Sequence, residues 1–217
     1  MLKPEVYCCN FILMILISDL QYFPSVIFYK ISYNFSNIFF DQYELYQKMS
    51  FRNRCIIAGA NGIIRLSVPL LQGRNQKNIM KDVKIAAGKW QLQHFKSIES
   101  CYNKSPWFIF YKDELQQLYS KSYIFLLDWN LACFEWSVKK LNLPAEVSLT
   151  DNFRKSYDDG ITDLRNTILP RTYKEFPAIR YSQVFEQKLG FAPNLSILDL
   201  LFCEGKRAAE FLSLESN

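Results

Sequence analysis

Residues 13–41, LMILISDLQYFPSVIFYKISYNFSNIFFD, give the clearest indication of the fold class. Its opening residues 13–18 are almost wholly apolar and predict a buried β-strand. Residues 26–33 follow a proline that suits the first turn of a helix, and their apolar side chains fall in helical clusters. A further apolar run at 38–41 predicts a second strand. A strand, a crossover helix and a strand in this order begin a parallel α/β sheet.

The pattern of the remaining chain predicts one α/β domain. Two apolar runs, 55–58 and 63–68, flank Gly59-Ala60-Asn61-Gly62, and Asn-Gly in this setting favours a tight hairpin. Further strands are predicted at 81–85 and 145–149, and helices at 89–101, 107–119, 123–141, 181–189 and 197–212. We therefore expect an N-terminal extension, residues 1–12, and a single domain, residues 13–214. In that domain a mixed sheet from the N-terminal half is packed with helices from the C-terminal half.

Composition and charge favour a folded protein that does not bind nucleic acid. Of the 217 residues, 49% are hydrophobic, which is too many for a disordered chain. The formal net charge is +5, but the 26 cationic residues are mixed with 21 acidic ones. Nucleic-acid-binding proteins concentrate their cations in a stripe. An anionic small substrate held by a local cluster fits this pattern better.

The cysteines and the single histidine limit the cofactors that the chain is expected to hold. The six cysteines include no Cys-x-x-Cys pair, and most of them occur in apolar patterns. This predicts reduced, buried thiols in a cytoplasmic protein. With only His94 available and no Cys/His spacing, we expect no zinc site. An oxygen-ligated ion such as magnesium, and any other cofactor, stay open.

The N-terminal residues 6–17 are nearly apolar and resemble a targeting segment. They number about 12, whereas a membrane span needs about 20. Ser18-Asp19-Leu20-Gln21 is not the small-residue cleavage site of a signal peptide. We expect no membrane insertion, and a signal peptide is the alternative.

A polar cluster lies between the second predicted strand and the hairpin, where it favours an anion- or carbohydrate-binding mouth. Its members are Asp41, Tyr43, Tyr46, Gln47, Lys48, Ser50, Arg52, Asn53 and Arg54. Asp41 lies at the carboxyl end of a predicted parallel strand, where open α/β sheets bind ligands. The alternative for Asp41 is a salt bridge to Lys48 or Arg52. Arg52 and Arg54 point the same way in an extended chain and suit phosphate or carboxylate, unless they are ordinary surface charges.

Two further groups have both a catalytic and a structural interpretation. His94 shares one helix face with apolar residues, so it is either a hydrogen-bonded core residue or the one imidazole available for proton transfer. Ser196 and Asp199 precede and open an apolar run, which fits a variant of the helix capping box better than a catalytic pair.

Five segments, in order over about residues 13–212, together resemble the WbqC-like protein family. The segments are Gln21-Tyr22-Phe23-Pro24; Tyr46-Gln47-Lys48-x-Ser50-Phe51-Arg52-Asn53-Arg54; Ala60-Asn61-Gly62 leading to Val68-Pro69; Trp90-x3-His94-x3-Ile98-x3-Tyr102-x2-Ser105-Pro106-x-Phe108; and Phe191-x-Pro193-Asn194-Leu195-Ser196 with the apolar run to Phe202. The resemblance implies a cytoplasmic bacterial protein whose gene accompanies those for O-antigen and other surface polysaccharides. The family's pattern also implies a second histidine in the stretch that matches Glu44-Leu45-Tyr46, and this chain has Leu45 near that point.

These observations together predict an enzyme of surface polysaccharide biosynthesis, a transferase acting on a nucleotide-linked or amino sugar. Asp41 or His94 is expected to act as the base. Substrate contacts are expected from Tyr22, Tyr46, Lys48, Arg52, Asn53 and Arg54, with the cations holding phosphate or the anion of an acyl carrier. The expected partners are an activated sugar or acyl donor, and a second copy of the chain or a biosynthetic enzyme. The alternative is a non-catalytic accessory protein that binds such an enzyme or its sugar product.

Overall fold

Six strands and a set of mostly short helices make up the part of the chain that the computed structural model describes, residues 14–73 and 77–213. The strands are β1 (Ile15–Ser18), β2 (Asn37–Phe40), β3 (Arg54–Gly59), β4 (Gly62–Ser67), β5 (Glu146–Leu149) and β6 (Ile161–Asp163). The helices are α1 (Val26–Ser32), α2 (Trp90–Tyr102), α3 (Phe108–Ser120), α4 (Leu126–Leu141), α5 (Glu186–Leu189), α6 (Ile197–Glu204) and α7 (Ala208–Ser213). Short 3₁₀ turns lie at Met80–Asp82 and Gly205–Arg207.

A four-stranded sheet with the order β5-β2-β1-β6 lies at the centre, and all of its strands are parallel. In β1, Ile15 is level with Asn37 of β2 and with Ile161 of β6. Because the strands run the same way, their carboxyl ends meet at one edge of the sheet. Open α/β sheets bind ligands at this edge, so the residues that follow each strand are the first to examine.

The hairpin of β3 and β4 forms a separate antiparallel sheet. Gly59 pairs with Gly62, and Ala60-Asn61 make the turn between them. Gly62 has a φ of 121°, which L-residues with a side chain rarely adopt, so the Asn-Gly sequence determines this turn.

Aromatic side chains fill the core between the parallel sheet and helices α1 and α4. Phe134 of α4 packs edge-on against Phe40 of β2, with ring centroids 4.8 Å apart, and stacks on Tyr29 of α1 at 5.6 Å. Offset and edge-on ring pairs of this kind add to the free energy gained by burying the rings. Helix α4 is thereby fixed across the sheet, next to the strand ends.

The predicted fold class, a single α/β domain, is confirmed. The parallel and antiparallel strands form two separate sheets, and β5 and β6 of the parallel sheet come from the second half of the chain. The strand predicted at 81–85 is wrong, since a 3₁₀ turn and isolated bridges occupy it. The helix predicted at 181–189 is limited to Glu186–Leu189, and that at 197–212 is interrupted at Gly205.

Two predictions concern the ends of the chain and membrane insertion. The predicted extension, residues 1–12, lies outside the described residues. Within the described ranges, no helix combines the length and the apolar character needed to cross a bilayer.

Candidate functional site

Polar residues follow the carboxyl ends of the parallel strands and lie close together. Asp19 follows β1, Asp41 follows β2, Thr150 follows β5, and Asp163 ends β6. Backbone hydrogen bonds extend the sheet pairing by one residue, from Asp41 to Ser18 at 3.0 Å and from Thr150 to Phe40 at 3.0 Å. The sheet thus gathers three carboxylates at one edge.

Asp41 is fully buried, and its side chain stabilises the turn that follows β2 by hydrogen bonds. Its Oδ1 accepts hydrogen bonds from the backbone N–H groups of Tyr43 and Glu44, at 2.9 and 3.1 Å. Its Oδ2 accepts a charged hydrogen bond of 2.6 Å from Arg165, which also binds Asp163. The salt bridge considered for Asp41 therefore exists, but its partner is Arg165 and not Lys48 or Arg52.

Arg165 is held on every side. Two hydrogen bonds of 3.0 and 2.6 Å fix its Nε and Nη2 to Asp163. The rings of Tyr157 and Phe153 lie 5.0 and 5.6 Å from its guanidinium carbon, at cation–π distance. Its charge is shared with two carboxylates, so it shapes the strand ends and has little charge left for a ligand.

Glu44 and Arg52 form a buried, bidentate ion pair next to this edge. Arg52 Nε and Nη2 donate to the two carboxylate oxygens at 2.7 and 2.6 Å. Nη2 also donates to Asn166 at 2.9 Å, and Nη1 lies 3.5 Å from Asp19. Burial raises the pKa of Glu44 to about 7, although Arg52 opposes the shift. A carboxyl group with such a pKa exchanges protons near neutral pH.

Glu44 lines a cleft of about 580 Å³, the strand-end cleft. The residues that line it are Tyr43, Glu44, Leu45, Gln47, Phe153, Lys155, Asp163, Arg165 and Asn166. The cleft has the size of a small-molecule site. Two aromatic residues, Tyr43 and Phe153, line it, and aromatic rings suit sugars, although Lys81 and Arg165 already lie against these two rings. Lys155 adds an exposed cation.

A second cleft of about 660 Å³, the basic cleft, lies on the other side of the same loop. Its lining residues are Tyr46, Lys48, Met49, Asn53, Arg54, Val68, Pro69, Leu70 and Gly73. Four residues that the sequence predicted to bind substrate are therefore brought together: Tyr46, Lys48, Asn53 and Arg54. The predicted alignment of Arg52 with Arg54 is wrong, because residues 51–53 form a turn that directs Arg52 into the protein.

Tyr22 and His94 lie in the aromatic core and are not among the residues that line either cleft. The Tyr22 hydroxyl shares hydrogen bonds with His94 Nδ1 at 3.0 Å and with the Tyr119 hydroxyl at 2.5 Å. Burial lowers the pKa of His94 to about 4, so the imidazole is neutral at pH 7. His94 and Asp41 have different hydrogen-bond partners in the structure. The catalytic roles predicted for them stay predictions, and so does substrate binding by Tyr22.

The sequence did not single out Glu44 or the residues from β6. One signal was available for Glu44, which lies three residues after Asp41, at a strand end. No signal marked Arg165 and Asn166, because β6 has only the residues Ile161–Asp163 within a polar stretch. In the described ranges, no group of three or more His, Cys, Asp or Glu side chains is placed to hold a metal ion.

Comparison with known proteins gives one match. Neither the curated proteins nor the solved structures contain a match to the chain. The model of the WbqC-like protein family matches residues 21–174 of the 217, which include Asp41, Thr150 and Asp163 at the strand ends, Glu44 and all the residues that line both clefts, but not Asp19. The chain belongs to the WbqC-like protein family.

Proposed function

We propose that the protein is a cytoplasmic enzyme of bacterial surface polysaccharide (O-antigen-like) biosynthesis, a transferase that acts on a nucleotide-linked or amino sugar. The observation that supports it is Glu44, a residue of the strand-end cleft whose carboxyl group has a pKa raised to about 7 by burial. The cleft lies at the edge where parallel sheets bind ligands.

Glu44 acts as the general base in this proposal. As the acceptor's hydroxyl or amino group forms a bond to the transferred group, its proton passes to Glu44. The bond between the transferred group and its phosphate or thiol leaving group breaks in the same step. Arg52 is a positioning residue, since its two hydrogen bonds fix the carboxylate. Asp41 positions the backbone N–H of Glu44 in the same way.

Two features of the structure support a sugar as the substrate and a reducing compartment as the location. Aromatic and polar side chains in the strand-end cleft suit a sugar, as described above. The four cysteines in the described ranges, Cys55, Cys101, Cys133 and Cys203, are free and buried, which accords with a reducing compartment.

The test is product analysis by mass spectrometry after incubation with nucleotide-linked sugars and amino sugars, with and without acyl donors. Substrate pairs are first chosen by a thermal-shift screen, because a ligand that binds the folded state raises the melting temperature. We expect Glu44→Gln to lower turnover by about 10²- to 10⁴-fold, the usual contribution of general base catalysis. Glu210→Gln is the matched control, because Glu210 is exposed on α7. Equal turnover in both variants contradicts the proposal.

A second candidate function is that of a non-catalytic accessory protein. One observation favours it: the lone imidazole, His94, is enclosed by rings and is not placed at either cleft. In that case the strand-end cleft binds a sugar product without changing it. Ligand-dependent stabilisation without any product, together with retention of a biosynthetic enzyme on the immobilised protein, supports this function over the first.

A further inference from the structure

The basic cleft differs from the strand-end cleft in its charge. Two cations, Lys48 and Arg54, line it, and none of its lining residues is acidic. In the strand-end cleft, by contrast, Glu44 and Asp163 offset Lys155 and Arg165. A cleft with unbalanced positive charge attracts an anion.

Both cations have donors to spare. Among the described residues, neither Lys48 nor Arg54 forms an ion pair with a carboxylate. Arg54 Nη1 donates to the Met49 sulfur at 4.0 Å, and Arg54 Nε is buried with no hydrogen-bond partner among the described residues. A buried donor without an acceptor is unfavourable, so the guanidinium group of Arg54 is not fully satisfied by the protein. A guanidinium group presents a planar fork of donors that matches phosphate oxygens.

The rest of the basic cleft combines a hydrogen-bonded Tyr46–Asn53 pair with apolar side chains. The Tyr46 hydroxyl donates to Asn53 Oδ1 at 2.9 Å, and Asn53 Nδ2 donates to the Val68 carbonyl at 3.0 Å. These bonds tie the loop to the strand end of the hairpin, where Pro69 and Leu70 continue the wall. The cleft therefore offers two cations at a wall on which an apolar or aromatic group can pack.

One segment, residues 45–48, borders both clefts. Leu45 forms an antiparallel bridge with Ile79, and Tyr46 N–H donates to the Asn78 carbonyl at 3.0 Å. Because alternate side chains of an extended segment point to opposite sides, Leu45 and Gln47 line the strand-end cleft while Tyr46 and Lys48 line the basic cleft.

We propose that the basic cleft binds the diphosphate of a nucleoside diphosphate compound through Arg54 and Lys48, with the nucleoside against the partly exposed Tyr46 and Pro69. A cleft of about 660 Å³ has room for such a group. Nucleotide-linked sugars and coenzyme A share this chemistry. The assignment of the ligand to an activated donor rests on the proposed function, whereas the binding itself does not.

Titration calorimetry of the full chain tests the proposal, with UDP, ADP, coenzyme A and inorganic pyrophosphate as the probes. We expect a nucleoside diphosphate to bind, and Arg54→Gln and Lys48→Glu each to weaken its binding by about tenfold or more, because each removes charged contacts. Lys48 is exposed, so Lys48→Glu tests the charge without risk to the fold. Lys96→Glu is the matched control, because Lys96 is exposed on α2 and lines neither cleft, and it is expected to leave the affinity unchanged.

The outcomes separate the proposals. Preference for UDP supports a nucleotide-linked sugar as the source, and preference for ADP and coenzyme A supports an acyl donor. Binding that Arg54→Gln and Lys48→Glu leave unchanged overturns the inference, as does pyrophosphate binding as tightly as the nucleoside diphosphates. Retained binding in a protein without transferase turnover contradicts the proposed function alone. If Lys48→Glu turns over with the same KM for the donor as wild type, this inference alone is contradicted.

Discussion

The Arg52 guanidinium donates two parallel hydrogen bonds, of 2.7 and 2.6 Å, to the Glu44 carboxylate inside the protein. The Arg52 side chain is fully buried and that of Glu44 is 5% exposed. Through Nη1 and Nη2, the same guanidinium reaches Asp19 after β1 and Asn166 after β6. One cation thus joins the loop after β2 to two neighbouring strand ends, and it fixes the carboxylate that we propose as the base.

Removal of the Arg52 cation is expected to destabilise the fold strongly. Arg52→Met leaves the carboxylates of Glu44 and Asp19 buried without their partner, and breaking a buried pair costs about 3–5 kcal/mol. We expect a loss of this size in the free energy of unfolding, measured by urea denaturation. Arg54→Met is the matched control, because Arg54 is partly exposed and has no ion pair among the described residues. A similar loss in both variants contradicts the structural role of the pair.

Glu44 is expected to make the free energy of unfolding depend on pH, and Glu44→Gln is expected to remove this dependence. The folded-state pKa is about 7 and the ordinary value is 4.5, so between these values the folded protein holds a proton that the unfolded chain has released. The contribution of Glu44 is therefore favourable at low pH and is lost as pH rises through 7. We expect the difference in unfolding free energy between wild type and variant to fall by about 3 kcal/mol from pH 4.5 to 7. A difference that is constant with pH contradicts the raised pKa.

His94 is expected to change the free energy of unfolding with pH in the opposite direction to Glu44, so that acid destabilises the fold. Its pKa falls from 6.5 to about 4 on burial, so on acidification the unfolded chain binds a proton that the folded protein does not. Stability is present above pH 6.5 and is lost as pH falls towards 4, by about 3 kcal/mol. His94→Gln keeps a polar group for Tyr22 and cannot titrate. Comparison of its unfolding free energy with that of wild type at each pH isolates His94 from Glu44, and parallel curves contradict the prediction.

The arrangement of the strand ends was predictable where local sequence determines it. Residues 13–41 indicate strand, helix and strand, which places Asp41 at the binding edge of the sheet. The partner of Asp41 was not predictable, because Arg165 lies 124 positions away and follows a strand of three residues. Such a strand is stabilised by pairing with β1 and not by its own pattern, so tertiary contacts decide it.

The side-chain partners of Asp199 are a second example of contacts that local sequence could not predict. Ser196 caps α6 as the sequence predicted, since its Oγ accepts from the Leu198 N–H at 3.4 Å. The Asp199 side chain takes no part in that cap. It accepts instead from the Tyr102 hydroxyl at 2.6 Å, a residue 97 positions away. A short-range motif explained the helix start, but it did not reveal a contact that only the folded chain creates.

This contact leads to a last prediction, in which Asp199→Asn destabilises the fold although it changes one atom. Three donors converge on the carboxylate: Tyr102 at 2.6 Å, Tyr181 at 2.7 Å and Gln183 at 2.9 Å. An amide offers one oxygen and turns its NH₂ group towards donors, so at least one buried donor loses its acceptor, at about 1–3 kcal/mol each.

The loss is expected to spread beyond α6, because the Tyr102 hydroxyl also accepts the Ala58 N–H at 3.1 Å and so links α2 to β3. Thermal or urea unfolding measures the effect. Asp113→Asn is the matched control, since Asp113 is exposed on α3 and is expected to change the free energy of unfolding by less than about 0.5 kcal/mol. If Asp199→Asn is as stable as this control, the three hydrogen bonds contribute no net stability, and the carboxylate has been retained for another reason.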